Sequence, residues 1–241
     1  MSIQSHLHSN KPGRTLPPLA IEERLMFITH ATASLDEYEE VNLLLQGGCR
    51  WIQLRRKEGI DATLAQKIVD RCRQAIVQPI HIYLDDDVRG ALQCGASGVH
   101  LGKRDMPLVE AWALVDEASA AGRPFHIGAT ANTFDDILQA ARNGASYIGL
   151  GPYRFTETKK NLSPVLGLEG YRSIVAQCRE AGIHLPIFAI GGIELKDVKP
   201  LLQTGIDGIA VSGSILQDAD PVEMTKRFLQ AIKEHFQSTN H

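Results

Sequence analysis

The chain has 241 residues, 44% of them hydrophobic and 22% charged, with a formal net charge of −3. That is apolar material enough for a full core, and the charge balance gives no overall pull toward nucleic acid or an anionic membrane surface. No apolar run approaches the length of a membrane span, and "MSIQSHLHSNKPGRTLPP" lacks the apolar segment of a signal peptide.

In chain order, residues 1–22 read as a flexible polar tail, with His6 and His8 as tail residues, and 23–241 as one domain. The first apolar run, Arg24–His30, predicts a strand. Ser34-Leu-Asp-Glu37 has the spacing of a capping box, and "YEEVNLLLQGG" carries a helix on to a stop at Gly47. Further strands are expected at Arg50–Arg55, His81–Asp85, Ser97–Leu101 and Pro124–Thr130. "TFDDILQAARNGA" predicts a helix with Thr133 as N-cap, Asp136 at its third position and Gly144 as C-cap. Strands at Ser146–Leu150, Pro186–Ile190 and Gly208–Ser212 follow, with helices in "ELKDVKPLLQTGI" and "DPVEMTKRFLQAIKEHF". Near-continuous apolar strands alternating with helices argue for a parallel sheet. Eight such units with no interior linker fit a closed, single-domain (β/α)8 TIM barrel better than an open doubly wound sheet. The four cysteines, Cys49, Cys72, Cys94 and Cys178, form no CxxC pair or zinc-like spacing. They are expected to be reduced thiols of a cytoplasmic protein.

Barrel active sites lie at the C-terminal ends of the strands. Those ends carry His30; Gln53, Arg55 and Lys57; Asp85, Asp86 and Asp87; His100, Gly102, Lys103 and Asp105; Thr130; Gly191-Gly192; and Ser212-Gly213-Ser214. "GLGPYRFTETKK", after the sixth strand, adds Thr156, Thr158, Lys159 and Lys160. Hydroxyls and ammonium groups so placed suit a phosphate or diphosphate, and Lys160 can equally be plain surface. Gln53, Arg55 and Lys57 share one direction along and beyond their strand. A buried Arg needs an anion, which a substrate would supply, or else Asp85 or Asp86. Asp86 and Asp105 can share a hard cation of the Mg²⁺ type; alternatively Asp86 or Asp87, and Asp105, are helix N-caps. The glycines after strands seven and eight suit a phosphate held by backbone N–H groups, or simply tight turns. No Ser–His–Asp or Cys–His nucleophile is evident, which favours a diphosphate leaving group over acyl transfer.

"IQLRRK", "DDDVRGALQCGASGVHLGKRD", "IGAT", "YIGLGPYRFTETKK", "FAIGGI" and "DGIAVSGSI" occur in order. Over about residues 24–220 they resemble the thiamine-phosphate synthase (thiamine-phosphate pyrophosphorylase) family. The resemblance implies that an aminopyrimidine methyl diphosphate and a thiazole phosphate are joined to thiamine phosphate, with pyrophosphate released by a dissociative, Mg²⁺-assisted mechanism. It further implies that Gln53, Arg55, Lys57 and Lys159 hold the diphosphate, with Thr130 where the family usually has Ser. Asp86 and Asp105 would be the Mg²⁺ ligands. His100 would border the pyrimidine, Thr156 and Thr158 would contact the thiazole phosphate region, and Gly192, Ser212 and Gly213 would bind the thiazole's phosphate. Asp85 stands where the family has Asn, and Gly213-Ser214 replaces a Ser-Ala order. Two rivals are a thiazole tautomerase-like isomerase and a non-catalytic regulator that binds thiamine precursors. The isomerase would need a His just after strand five, where this chain has Thr130-Ala-Asn132. Small molecules are the expected partners, and homo-oligomerisation is left open.

Overall fold

The computed structural model describes residues 14–30, 32, 35–56, 59–75, 79–118, 123–155 and 164–238. Eight parallel strands close into a barrel in sequence order, β8 pairing back onto β1. They are β1 (Leu25–Ile28), β2 (Trp51–Leu54), β3 (His81–Asp85), β4 (Gly98–Leu101), β5 (His126–Ala131), β6 (Tyr147–Leu150), β7 (Ile187–Ile190) and β8 (Gly208–Val211). The helices outside them are α1 (Glu37–Gln46), α2 (Ala62–Arg73), α3 (Val88–Cys94), α4 (Leu108–Ala118), α5 (Phe134–Arg142), α6 (Gly167–Glu180), α7 (Val198–Leu202), α8 (Gly213–Leu216) and α9 (Pro221–Ser238). All eight expected strands form, most of them a residue or two shorter than the apolar runs. "ELKDVKPLLQTGI" divides into a 3-10 turn, Leu195–Asp197, and the short α7.

Side-chain alternation along each strand separates two cores. One face packs under the helices, with Phe27, Ile52, Leu84, Val99 and Ile148 among its buried residues. The other fills the barrel with Met26, Ile28, Trp51, Tyr83, Tyr147, Phe188 and Ala210. Trp51 stacks on Tyr83 at 4.9 Å between ring centroids and touches Phe188 at 5.0 Å. The interior is therefore packed solid rather than being a pore, which confines any ligand to its ends. All four cysteines are buried and free, as expected of reduced thiols.

Two helix ends depart from expectation. α1 is capped by Asp36, whose carboxylate accepts from the Glu39 backbone N–H while Glu39 reaches back to Asp36. The capping box is thus two residues later than Ser34/Glu37, and Ser34 lies outside the described residues. Thr133 and Asp136 form the expected box on α5. Its C-cap is Asn143, and Gly144 follows in the left-handed region at φ +83°. Within the expected tail of residues 1–22, residues 14–22 are described and make contacts with the barrel. From Arg14 the chain packs on the N-terminal end of the barrel, where Leu16 and Leu19 meet the interior cluster. There the Ser146 hydroxyl donates to the Arg14 carbonyl at 2.5 Å, and the Arg14 guanidinium lies 4.1 Å over the Trp112 ring. Residues 1–13 are outside the described residues.

Candidate active site

The opposite end of the barrel, where the strands finish, gathers the polar side chains. β2 delivers Gln53 pointing inward, 3% exposed. Its amide donates to Asp85 Oδ1 at 2.5 Å, and Arg55 Nε lies 3.2 Å from Asp85 Oδ2. One carboxylate at the end of β3 therefore aligns two donors from β2. The two terminal nitrogens of Arg55 make no further hydrogen bond among the described residues. Asp85 thus supplies the acceptor that the sequence left open between Asp85 and Asp86. A reciprocal pair fixes the strand end: Arg55 N–H donates to Thr29 Oγ1 at 2.8 Å, and the Thr29 hydroxyl donates to the Arg55 carbonyl at 3.2 Å. Arg56 points the other way, bidentate on the buried Glu37 of α1.

The three aspartates after β3 and β4 separate by role. Asp87 caps α3, accepting from the Gly90 backbone at 2.8 Å. Asp86, at φ +63°, is turned away from that task. Left-handed backbone at a non-glycine residue is uncommon and costs about 1 kcal/mol or more. Its carboxyl meets that of Asp105, and the carboxyl is pushed up to about 7, by partial burial first and then by the Asp105 hydrogen bond and the charges of Asp85 and Asp105. Asp105 Oδ2 accepts from the Gly102 N–H at 2.6 Å, closing the turn after β4. It does not cap α4, which begins at Leu108. Two oxygen-donor side chains meeting at the mouth match a hard divalent cation held by one or two carboxylates and completed by water and phosphate. Among the described residues no group of three or more His, Cys, Asp or Glu side chains converges on one point.

His100 is 7% exposed. Its Nδ1 lies 3.2 Å from the Tyr147 hydroxyl and its Nε2 2.9 Å from Thr130 Oγ1. Past β7, Gly191 and Gly192 adopt φ +101° and +65°. A Cβ on Gly192 would lie 2.5 Å from Arg154 Cγ, so backbone and packing alone require glycine there. Arg154 bridges this turn to the loop after β6, donating to the Gly192 carbonyl at 2.9 Å and to Asp197 at 2.8 Å. At the end of β8 the Ser212 hydroxyl is buried with no hydrogen-bond partner among the described residues, and Gly213 opens α8. Lys103 is occupied, pairing with Asp136 at 2.5 Å. Lys57, Thr156, Thr158, Lys159 and Lys160 lie outside the described residues. The flanks of their loop are fixed, with Leu166 and Gly167 N–H groups donating to the Pro152 and Tyr153 carbonyls at 3.0 and 3.1 Å.

The structure therefore brings Gln53, Arg55, Asp85, Asp86, Asp105, His100 and Thr130 to one end, with Gly192, Ser212 and Gly213 at the same rim. Sequence reading missed Tyr147, hidden in an apolar strand, and Arg154, inside a loop read for its threonines and lysines. Strand parity carried a signal for Tyr147, because it places that side chain in the barrel rather than under the helices. Arg154 gave no signal beyond its neighbourhood.

Fold and rim together define a (β/α)8 barrel whose ionisable side chains gather where its strands end. The family model for thiamine monophosphate synthase matches residues 25–215. A thiamine-phosphate synthase of Bacteroides fragilis is 50% identical over 210 residues, covering 85% of this chain and 98% of that protein. One from Flavobacterium johnsoniae is 42% identical, covering 80% and 89%. The solved thiamine phosphate pyrophosphorylase of Pyrococcus furiosus superposes with a TM-score of 0.74 at 30% identity, covering 89% of this chain and 97% of that one. The chain belongs to the thiamine-phosphate synthase family.

Proposed function

We propose that this chain joins an aminopyrimidine methyl diphosphate to a thiazole phosphate, releasing pyrophosphate and forming thiamine phosphate. Family membership supports the reaction. The observation that carries it to these residues is the Gln53–Asp85–Arg55 array, which leaves two guanidinium nitrogens at the mouth beside the Asp86/Asp105 pair.

The chemistry asked of the protein is charge stabilisation. The bond between the pyrimidine methylene and the diphosphate oxygen breaks, and its electron pair leaves with the diphosphate. Stabilising the negative charge that develops falls to Arg55 and the Thr130 hydroxyl, with Lys57 and Lys159 as the further cations that the resemblance implies. The thiazole nitrogen then donates its lone pair to the pyrimidine-methyl cation. No protein nucleophile is required, and the packed barrel interior forms the floor of the mouth. Asp86 and Asp105 would hold Mg²⁺, which when bound would neutralise diphosphate charge. The charge of Asp85 is paired with Arg55 while its other oxygen accepts from Gln53, which offsets part of its repulsion of a bound diphosphate. The unpartnered Ser212 hydroxyl supports a phosphate site at the ends of β7 and β8, with Gly192 and Gly213 backbone groups beside it.

The isomerase reading is weaker. The position after β5 that would carry a His is Asn132, whose amide is bonded to the Gly151 carbonyl. The test is formation of thiamine phosphate by purified protein given both substrates and Mg²⁺, with an EDTA control. Product that requires all three supports the synthase. Tight binding of the substrates without any product would instead favour the regulator.

A further inference from the structure

Tyr147 does not reach the mouth. It is fully buried in the barrel, edge-on to Trp51 at 5.1 Å and to Tyr83 at 5.5 Å. Its hydroxyl nevertheless touches His100 Nδ1, and His100 Nε2 touches Thr130 Oγ1. Two glycines make room for this column. A Cβ on Gly128 would fall 2.1 Å from Tyr147 Cζ, and one on Gly149 would fall 3.0 Å from His100 Cε1. Side chains from β6, β4 and β5 thus form one line from the core to the rim.

The direction of its two hydrogen bonds decides what Thr130 can do. In one arrangement Tyr147 O–H donates to Nδ1, and Nε2–H donates to Thr130 Oγ1. The Thr130 proton then cannot point at His100 and is free for the mouth. In the reverse arrangement Thr130 donates to Nε2, and Nδ1–H donates to the tyrosine oxygen. That leaves the Tyr147 proton buried without an acceptor among the described residues. An unmatched donor in the core costs more than one at a half-buried rim position, where water or a ligand can accept. Burial also holds the Tyr147 phenol well above its usual range, so it keeps its proton.

We propose that Tyr147 is a positioning residue: it holds His100 as the Nε2–H tautomer and so turns the Thr130 hydroxyl into a fixed donor toward the departing diphosphate. The last clause rests on the reading of the mouth given above; the tautomer does not.

Two measurements on the full chain separate these parts. In ¹⁵N-histidine-labelled protein, with the His100 signal assigned through His100→Asn, two-bond ¹H–¹⁵N correlations are expected to show Nε2–H. In Tyr147→Phe the pattern is expected to shift toward Nδ1–H, since the tyrosine hydroxyl no longer donates to Nδ1. Nδ1–H in the wild type overturns the proposal whatever the variant does. In steady-state assays Tyr147→Phe is expected to lower kcat on the order of tenfold with little change in KM. Thr130→Val is expected to do the same, and the double variant no more than the worse single one. A tautomer shift with unchanged kcat, or fully additive losses, would overturn the link to Thr130. A wild type that shows Nε2–H but releases no pyrophosphate would overturn the diphosphate clause alone.

Discussion

At the scale of single residues, Asp85 decides how the mouth is charged. Its carboxylate satisfies the 3%-exposed Gln53 and orients Arg55, so it acts as a clamp for two donors. Asp85→Ala is expected to cost about 1–3 kcal/mol of stability in a urea titration, because the Gln53 amide loses its partner in the core. It should also lower turnover, since Arg55 is no longer held. Asp85→Asn keeps one acceptor oxygen and should fall between the alanine variant and the wild type. Wild-type stability and kinetics for the alanine variant would contradict the clamp. Arg55→Lys is expected to cut turnover on the order of tenfold, because one ammonium group cannot bind Asp85 through Nε and still present two N–H edges. This scale was the least legible in the sequence. Asp86, Asp87 and Asp105 are each plausible caps by composition, and only backbone geometry distributes them: Asp87 caps, Asp105 closes a turn, and Asp86 is left to face the mouth. For Tyr147 strand parity gave the inward direction only, since an aromatic in an apolar strand carries no mark of its hydrogen bond.

At the scale of elements, α1 grips the ends of two strands. Glu37 takes the Arg56 guanidinium, and Glu40 Oε2 accepts from the His30 backbone N–H at 3.0 Å. Holding Arg56 outward is what leaves Arg55 facing inward. Sequence spacing assigned Glu37 to a capping box; the box instead lies two residues later, at Asp36 and Glu39, and leaves the Glu37 carboxylate to Arg56. Glu40 is fully buried, and its Oε1 has no hydrogen-bond partner among the described residues. Burial, joined by the charges of Glu37 and Asp36, pushes its carboxyl up to about 7 from an ordinary 4.5. The folded chain therefore binds that proton more tightly than the unfolded chain, and stability is lost as pH rises from about 4.5 to about 7. His126 acts in the opposite sense. Burial, with the charge of His81, lowers it to about 4 from 6.5, so stability is lost as pH falls through that window. Glu40→Gln should remove the first slope only. Relative to wild type, the variant is expected to gain about 2–3 kcal/mol between pH 5 and pH 8 in parallel urea titrations. A stability difference that does not change with pH would contradict the assignment.

At the scale of the whole molecule, the two ends of the barrel divide the work. One end is closed by residues 14–22, by the His81–Glu23 pair at 2.9 Å, and by Leu16 and Leu19 on the interior cluster. The other collects the ionisable groups. This division was readable from sequence because near-continuous apolar runs, each followed by polar or glycine-rich residues, recur eight times, and a closed parallel barrel puts all those junctions on one face. The closing segment was not readable. Its prolines and polar residues look like tail, and only Leu16 and Leu19 mark contact with the barrel. Leu16→Ser with Leu19→Ser is expected to lower Tm by about 2–6 °C for roughly 1–2 kcal/mol of lost burial, with substrate KM values unchanged. A change in KM without a change in Tm would contradict the division of ends.

The central claim is that Asp86 and Asp105 place a cation against a diphosphate that Arg55 and its neighbours draw away. The most direct measurement is pyrophosphate release, with both substrates present, titrated with Mg²⁺ for the wild type and for Asp105→Ala, whose retained fold is checked by circular dichroism. The account expects release from the wild type to depend on both substrates and on Mg²⁺, and the variant to lose turnover at every Mg²⁺ concentration or to need far more of the ion. A folded variant with the wild-type Mg²⁺ dependence and rate would contradict it.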